Sequence, residues 1–145
     1  MVVRLEDMHF YDHAGVDLGA LRDAWLINAS IGRTAVGGST IPMQLARNLF
    51  EMFENTLTRK IKEALLAMRI ERAYSKDEIL EMYLNQIYFG GGAHGIEAAA
   101  QVFFGKHSRE LTLGEATLLA GLPKNPRDYS PINHLDRALK RRSVV

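Results

Sequence analysis

Almost every apolar segment of this chain repeats at intervals of three or four residues, which constrains the fold more than any other feature. This spacing places apolar side chains on one side of an α-helix. It recurs around Leu18, Leu45, Ile61, Ile79 and Ile96. No segment shows the strict alternation that is typical of a half-buried strand. The sequence therefore predicts an all-α protein.

Capping residues mark the starts of the first two predicted helices. Asp17 is placed to cap a helix that ends near Gly32. Ser39 or Thr40 is placed to cap the next helix, which we expect to continue to Phe53.

The later helices carry similar signals. Thr56 or Thr58 is placed to begin the third helix. We expect the buried stripe of that helix to be Ile61, Leu65 and Met68. Two capping boxes then open two further helices: Ser75 with Glu78, and Thr112 with Glu115. Glycine-rich residues 89–95 and proline-rich residues 123–131 predict loops.

Size and composition narrow the class of protein. The 145 residues are enough for one domain, at 1–145, and the 47% hydrophobic content is enough for a core. The absence of cysteine excludes disulfides and thiolate metal sites. The net charge of +1 gives no general attraction for nucleic acid. Every apolar run is far shorter than the roughly 20 residues of a membrane span, and we expect the sequence to be trimmed at both ends.

An acidic pair near the start is the first candidate for chemistry. Adjacent Glu6 and Asp7 repel each other, and a partly buried carboxylate is a candidate general base. On a helix, Phe10 and His13 would share a face with Glu6 and shield it from bulk water. The alternative is a solvated acidic pair, with His13 as a structural hydrogen-bonding residue.

A small-residue segment before the second predicted helix is the next candidate. Its glycines allow close approach of a ligand, and the N–H groups at the following helix start attract an anion. The segment consists of Gly37, Gly38, Ser39 and Thr40. The alternative is an ordinary helix cap after a flexible loop. Three polar residues in the helix, spaced i, i+3 and i+4, predict a lined groove: Gln44, Arg47 and Asn48.

Two cations and an acid share one face of the next predicted helix. Arg59 and Lys60 can hold the oxygens of a departing diphosphate, and Glu63 can orient them or recruit a divalent ion. With a base and an anion-binding helix start, they suit sugar transfer from a phosphate-bearing donor. The alternative is surface ion pairing. The apolar residues 49–53 are either core or a lipid-contacting patch.

The order and the amino-acid sequences of these segments resemble three motifs of the peptidoglycan glycosyltransferases. These are the glycan-polymerising domains of class A penicillin-binding proteins and the monofunctional transglycosylases. The matching residues are Glu6, Asp7, Phe10, His13 and Gly15; Gly37, Gly38, Ser39, Thr40, Ile41, Gln44, Leu45, Arg47 and Asn48; and Arg59, Lys60, Glu63 and Ala64. Residues 76–90 and 113–123 resemble a fourth and a fifth motif, so the likeness covers nearly the whole chain.

The resemblance implies a lysozyme-like all-α fold with a globular head and a small membrane-facing jaw, at roughly residues 49–58. It implies that lipid II is polymerised into glycan strands, with inversion at the donor and release of undecaprenyl diphosphate. Glu6 would deprotonate the acceptor's 4-hydroxyl, and Glu63 would be a second essential acid. The implied substrate-binding residues are Asp7, Phe10, His13, Gly38, Ser39, Thr40, Gln44, Arg47, Asn48, Arg59 and Lys60.

The resemblance also implies partners and location. No cofactor would be required, a Mg²⁺ or Mn²⁺ ion would be optional, and no protein-built metal site is expected. The expected partners are lipid II, the growing glycan strand, membrane lipid at the jaw, and a transpeptidase domain or other cell-wall synthesis proteins, but no nucleic acid. The enzyme would lie on the outer, periplasmic or extracytoplasmic face of the bacterial cytoplasmic membrane, anchored by a segment outside this sequence.

Three positions depart from the resembled motifs. Arg47 stands where lysine is frequent, Pro42-Met43 replaces a polar pair, and Asn55 stands where arginine is common. The charge at Arg47 persists, but a planar guanidinium does not donate in the way of an ammonium. These departures are expected to change the affinity for the donor more than the reaction.

Three other functions fit parts of the pattern. A glycan-cleaving enzyme of the lysozyme or lytic transglycosylase kind would share the resembled fold. Such an enzyme needs no cationic clamp for a diphosphate, and Arg47, Arg59 and Lys60 argue against it. A catalytically silent membrane scaffold would not need both candidate acids. A helical nucleic-acid binder would use Lys140, Arg141 and Arg142, but it would also need a broad basic stripe, which this nearly neutral chain does not have.

Overall fold

The computed structural model describes residues 1–32, 37–52, 54 and 56–145. Within these residues the chain is mostly helical, which confirms the all-α class. The chain divides into two compact units, one formed by Met1–Met8 with Glu81–Val145 and the other by His9–Leu80. None of the described helices is long and apolar enough to cross a membrane.

The secondary structure follows the predicted order of helices. The described helices are α1 (Val2–Glu6), α2 (Leu18–Ile31), α3 (Ile41–Leu49), α4 (Leu57–Ala73), α5 (Lys76–Gln86), α6 (Ile96–Phe104), α7 (Leu113–Gly121) and α8 (Leu135–Arg142). A 3₁₀ turn, Ser108–Glu110, lies between α6 and α7. The other described segments between these elements are turns and loops, apart from a short hairpin between α5 and α6.

A short antiparallel hairpin corrects the prediction of a plain loop over residues 89–95. Its strands are β1 (Tyr88–Gly90) and β2 (Ala93–His94), with Tyr88 opposite His94 and Gly90 opposite Ala93. Gly91 and Gly92 have φ values of 61° and 80°, which reverse the chain tightly and let its flanks pair. Strands this short lack the alternating pattern by which a strand is recognised in a sequence.

The predicted helix starts are confirmed by side-chain caps. The side-chain oxygens of Asp17, Thr40 and Thr56 each accept a hydrogen bond from the backbone N–H group three residues later in the chain. The three distances are 2.9, 3.3 and 3.1 Å. Each cap satisfies an N–H group that the first turn of a helix leaves without a partner. Both predicted capping boxes also form, at Ser75 with Glu78 and at Thr112 with Glu115.

Helix α3 ends earlier than predicted. It stops at Leu49, whereas the predicted last residue, Phe53, lies outside the described residues. Glu51 has a φ of 50°, in the left-handed region, and Met52 N–H donates to Arg47 O at 3.0 Å. This bond satisfies a carbonyl of the last turn, so the chain leaves the helix there.

The predicted burial of α4 is wrong. Ile61 and Leu65 are 54% and 53% exposed, and Met68 is 36% exposed. The side chains that α4 buries are Glu63 and Ala67. The inner side of α4 instead carries an ion cluster at Glu63 and a close backbone contact at Ala67. Neither residue belongs to the predicted apolar stripe.

The close contact comes from residues 10–15, which we call the first-motif turn. Helix α1 ends at Glu6, and the chain then turns, with Asp12 N–H donating to His9 O at 2.8 Å. Glu6, Phe10 and His13 therefore do not share a helix face, contrary to the prediction. Gly15 has a φ of 93°, and a Cβ there would lie 2.8 Å from the carbonyl carbon of Ala67. Only glycine allows this turn to pack on α4.

The first unit has its own core. Helix α7 packs against α1, α6 and α8, and α6 packs against the hairpin. The largest fully buried side chains of this unit are Tyr83, Phe89, Leu119 and Leu122. Glycine is again required at Gly95, where a Cβ would lie 2.6 Å from Asn85 O. This close approach anchors the end of the hairpin on α5.

Two hydrogen-bonded carboxylates join the elements of the first unit. The Ser108 N–H and the His107 ring bind Glu97 at 2.9 and 2.7 Å and lower its pKa from 4.5 to about 2. Lys106, with the capping bonds from Thr112, likewise lowers the pKa of Glu115 from 4.5 to about 2. Both carboxylates therefore stabilise the fold in their charged form.

We predict that acid weakens the first unit through these two carboxylates. Their pKa values are lower in the folded state, so their contribution is present above pH 4.5 and lost as the pH falls towards 2. Urea unfolding between pH 7 and pH 2 should show this loss, and Glu97→Gln should flatten the curve. Glu81→Gln, at an exposed position of α5, is the matched control. Equal pH curves for Glu97→Gln and the unaltered chain would contradict the prediction.

We also predict that Gly15→Ala strongly destabilises the chain. Its Cβ would meet backbone atoms of Ala67 and Met68 at 2.8 to 2.9 Å. Gly92→Ala is the control, because Gly92 has a similar φ of 80° but no atom within 4 Å of the added Cβ. The left-handed backbone should lower the free energy of unfolding of both variants by about 1–2 kcal/mol. Urea unfolding should show a further loss for Gly15→Ala alone, and equal losses would refute the steric explanation.

Candidate active site

The centre of the candidate site is a buried carboxylate between two cations on α4. The Glu63 side chain is 1% exposed, and its Oε1 accepts a hydrogen bond from Arg59 Nη1. Its Oε2 lies 3.0 Å from Lys60 Nζ, in an ion pair without hydrogen-bond geometry. The side chains of Arg59 and Lys60 are 12% and 37% exposed. The alternative of simple surface ion pairing is therefore excluded.

Lys60 also connects this cluster to the start of α3. Its Nζ donates to Ser39 Oγ at 2.5 Å, so one ammonium bridges the second and third predicted segments. The next residue, Thr40, is buried, and its Oγ1 donates to Gly15 O at 2.6 Å. Helices α3 and α4 pack against each other, which holds these contacts in place. The segments that the sequence places far apart thus meet in the second unit.

The three polar residues predicted on α3 do share a side of that helix. Gln44, Arg47 and Asn48 are half-buried, whereas Leu45 and Ala46 between them are fully buried. This arrangement supports the prediction of a polar face. At Gly38, a Cβ would lie 2.9 Å from Leu21 Cα, so this glycine is also required for packing against α2.

The first-motif turn contributes two more of the predicted residues to the second unit. Phe10 is fully buried, and its ring lies edge-on to the His13 ring with centroids 6.4 Å apart. The Nδ1 atom of His13 accepts the Gly15 N–H at 3.1 Å. His13 therefore has a structural hydrogen bond, as its alternative interpretation required.

Glu6 and Asp7 belong to the first unit. Glu6 is the last residue of α1 and is half-buried, and Asp7 is 7% exposed. The alternative of a fully solvated acidic pair is therefore excluded. The other predicted site residues belong to the second unit, and Asn55 lies outside the described residues.

Lys76 is a contact residue of the first-motif turn that sequence reasoning did not identify. Its Nζ donates to His13 O at 2.6 Å, across 63 positions of the chain. The sequence places Lys76 in a capping segment and at the start of the fourth resembled motif, without indicating a contact with the first motif. One signal was available, because a cation in the first turn of a helix is disfavoured by the helix dipole and so needs another purpose.

The cluster is suited to binding an anion. Arg59, Lys60 and Glu63 carry a net charge of +1 in a largely buried setting, where charge interactions are stronger than in water. Arg59 Nε is buried without a hydrogen-bond partner among the described residues, so Glu63 does not satisfy all the donors of this guanidinium. A pocket of about 200 Å³ opens beside Arg59, and Lys62 and two carboxylates, Glu51 and Glu54, also line it, so its charges balance.

Comparison with known proteins identifies the family. The profile of the transglycosylase family matches residues 1–145. The chain is 57% identical to penicillin-binding protein 1A of Aquifex aeolicus over 99% of its own length, and 51% identical to penicillin-binding protein 1A of Escherichia coli, also over 99%. It spans 20% and 17% of the lengths of these two relatives.

Two further relatives extend this comparison. Penicillin-binding protein 1F of Bacillus subtilis is 45% identical over 99% of the chain, which spans 20% of that relative. The crystal structure of penicillin-binding protein 1A from Haemophilus influenzae is 38% identical, with a TM-score of 0.46, over 70% of this chain and 13% of that one. The chain belongs to the transglycosylase family, which confirms the predicted enzyme class, a peptidoglycan glycosyltransferase.

Proposed function

We propose that this chain polymerises lipid II into glycan strands during cell-wall synthesis. The observation that carries the proposal is the buried Glu63 carboxylate between Arg59 and Lys60, with Ser39 tied to the same ammonium. A donor with a diphosphate leaving group needs such fixed cations, because negative charge grows on the diphosphate as the sugar departs. A glycan hydrolase has no such leaving group.

In the proposed reaction, Glu6 removes the proton from the acceptor's 4-hydroxyl. The acceptor oxygen attacks the anomeric carbon of the donor from the side opposite the diphosphate, so the configuration inverts. The new C–O bond forms as the bond to the diphosphate oxygen breaks, and undecaprenyl diphosphate leaves with the electron pair. Glu6 is half-buried and not fully enclosed, so an acceptor hydroxyl can approach its carboxylate, as a general base requires.

In this proposal, Arg59 and Lys60 stabilise the departing diphosphate, and Glu63 holds both cations. Arg47 adds a third cation on α3, and Gln44 and Asn48 line the groove for the donor. The contacts of Glu63 support an orienting role, since both of its oxygens face cations. Side chains fixed in advance do not have to reorganise during the reaction, which is the main source of electrostatic catalysis.

A divalent cation does not fit beside Glu63. An added Mg²⁺ or Mn²⁺ would lie next to the guanidinium of Arg59 and the ammonium of Lys60, which already neutralise this carboxylate. The described residues also contain no group of three or more acidic or histidine side chains that could hold a metal ion. We therefore propose that the two cations neutralise the diphosphate and assign no step to a metal.

We further propose that the second unit contacts membrane lipid. The jaw predicted at residues 49–58 includes Phe50, which is 56% exposed. Further exposed apolar side chains lie on α2 and α4: Leu18, Trp25, Leu26, Ile27, Ile31, Leu57, Ile61 and Leu65. Exposed apolar side chains in such number indicate an interaction surface. We place this contact at the outer face of the cytoplasmic membrane, as the family implies, where a transpeptidase domain would use the glycan strands.

We predict that both acids are essential for polymerisation. With labelled lipid II in detergent, the unaltered chain should yield long glycan strands separable by size. Glu6→Gln should yield no strands, because the amide cannot accept the proton. Glu63→Gln should slow polymerisation by about 100-fold or more and destabilise the fold by about 3 kcal/mol, because Arg59 and Lys60 lose their buried counter-charge.

Asp136→Asn, an exposed change on α8, is the matched control for this experiment and should polymerise normally. Circular dichroism should show that Glu6→Gln keeps its helices. Normal strand synthesis by Glu6→Gln or Glu63→Gln would refute the assigned roles. Release of shorter glycans from finished strands, without polymerisation, would instead identify a hydrolase.

We predict that lipid vesicles bind the second unit through its exposed apolar residues. Trp25 is the single tryptophan and is 69% exposed, so its emission should shift to shorter wavelength on phosphatidylglycerol vesicles. Leu65→Asp should weaken binding by about tenfold, the effect of losing roughly 1.4 kcal/mol of apolar burial. Leu113→Asp, at a 72% exposed position in the first unit, should leave binding unchanged. An unshifted emission would contradict the lipid contact.

A further inference from the structure

Lys76 has an unusual set of contacts for a residue at a helix start. Its Nζ donates to the backbone carbonyl of His13 and to Glu71 Oε1, both at 2.6 Å. The same ammonium lies 4.7 Å from the centroid of the Phe10 ring. We infer that Lys76 is a positioning residue for the reaction, which acts by fixing the first-motif turn on α4.

The contacts of Lys76 are sheltered from water. Its side chain is 21% exposed, that of Glu71 is 8% exposed, and Phe10 is fully buried. A sheltered ion pair is screened little by salt, and a desolvated cation is held more strongly against an aromatic ring. The ammonium is therefore fixed in place, and it can in turn fix the groups around it.

One cation thus holds two residues of the first motif by different means. It holds Phe10 by its ring and His13 by its backbone carbonyl. A backbone contact sets the path of the chain whatever the side chain does. Lys76 therefore defines where the turn lies, and through it the orientation of the His13 imidazole that accepts the Gly15 N–H.

The other end of the turn is fixed independently. Thr40 Oγ1 donates to Gly15 O at 2.6 Å, and Gly15 packs on the backbone of Ala67 in α4. Ala67 lies four residues after Glu63 on α4. The first-motif turn is therefore held in place against the helix that carries the ion cluster. If Lys76 is removed, Gly15 keeps its contacts with Thr40 and Ala67. Phe10 and His13 are released, and with them the hydrogen bond from the Gly15 N–H to His13 Nδ1. The structure therefore predicts a loss of positioning without a loss of fold.

The activity test of this inference rests on the proposed function. Lys76→Met keeps most of the apolar stem but removes all three contacts of the ammonium. It should lower kcat for lipid II polymerisation by about 10- to 100-fold, as expected when a reacting group is misplaced by about 1 Å. The KM should change by less than about threefold, because the cations that bind the diphosphate are intact. Lys76→Arg, which retains the charge and the donors, should recover at least about half of the lost activity on a logarithmic scale.

Lys106→Met is the matched control. It removes a lysine–glutamate ion pair of similar length, Lys106 with Glu115 at 2.8 Å, in the first unit. Its kcat should equal that of the unaltered chain. If Lys106→Met and Lys76→Met lower kcat equally, the effect is a general loss of stability and the inference is wrong.

A second readout does not depend on activity. Hydrogen exchange of the Gly15 amide, which donates to His13 Nδ1, reports directly on the turn. In Lys76→Met this exchange should be at least about tenfold faster, and in Lys106→Met it should be unchanged. Unchanged Gly15 exchange in a folded Lys76→Met chain would overturn the inference, as would a normal kcat. A Lys76→Met chain that is unfolded at the assay temperature would also overturn it, because Lys76 would then be required for folding.

The two readouts separate failure of this inference from failure of the proposed function. If the unaltered chain makes no glycan, the proposed function fails, and amide exchange still tests the positioning of the turn. Glu71→Gln gives a milder variant for both assays, since it keeps the Lys76 ammonium and removes only its counter-charge. It should accelerate Gly15 exchange less than Lys76→Met does. Equal or faster exchange in Glu71→Gln would show that the ion pair, and not the contact with His13, holds the turn.

Discussion

The arrangement of the second unit depends on a carboxylate that is buried with its charge. Removing Glu63 from water would cost several kcal/mol without a counter-charge, so the fold must bring cations to it. Arg59 and Lys60 supply them from the preceding turn of the same helix. Lys60 then binds Ser39, which ties the start of α3 to α4. One buried charge thereby specifies which face of α4 is turned inward and which segment packs beside it.

Features that depend on neighbouring residues could be predicted from the sequence. Asp17, Thr40 and Thr56 cap helices where they were expected, since a cap needs only a side-chain oxygen and the next turn. The burial of α4 could not be predicted in this way. Periodicity shows that apolar residues share a side, but not which side is buried, and here the polar side is inward. The hairpin was missed because its strands contain too few residues to show a pattern.

The candidate site was predicted as a set of segments, and its contacts were not. The spacing of Arg59, Lys60 and Glu63 indicated one cluster because the three residues lie within five positions on a helix. The contact of Lys76 with His13 spans 63 positions and runs to a backbone carbonyl, so the sequence signals an unusual cation at a helix start but not its partner. Likewise, the sequence identifies Gly15 as part of a motif, but only the structure shows why glycine is required there: a Cβ would clash with the backbone of Ala67.

The inverted burial of α4 has a consequence for where the reaction takes place. Glu63 lies on the inner side of this helix, whereas Ile61 and Leu65 point outward into solvent. A helix with its side chains is about 10 Å across. If the outer side rests on lipid as proposed, the cations lie roughly one helix diameter from the hydrocarbon boundary, at the depth of the phospholipid headgroups. A polyprenyl diphosphate could then remain in the bilayer throughout each transfer, and only the sugars would need to leave the interface.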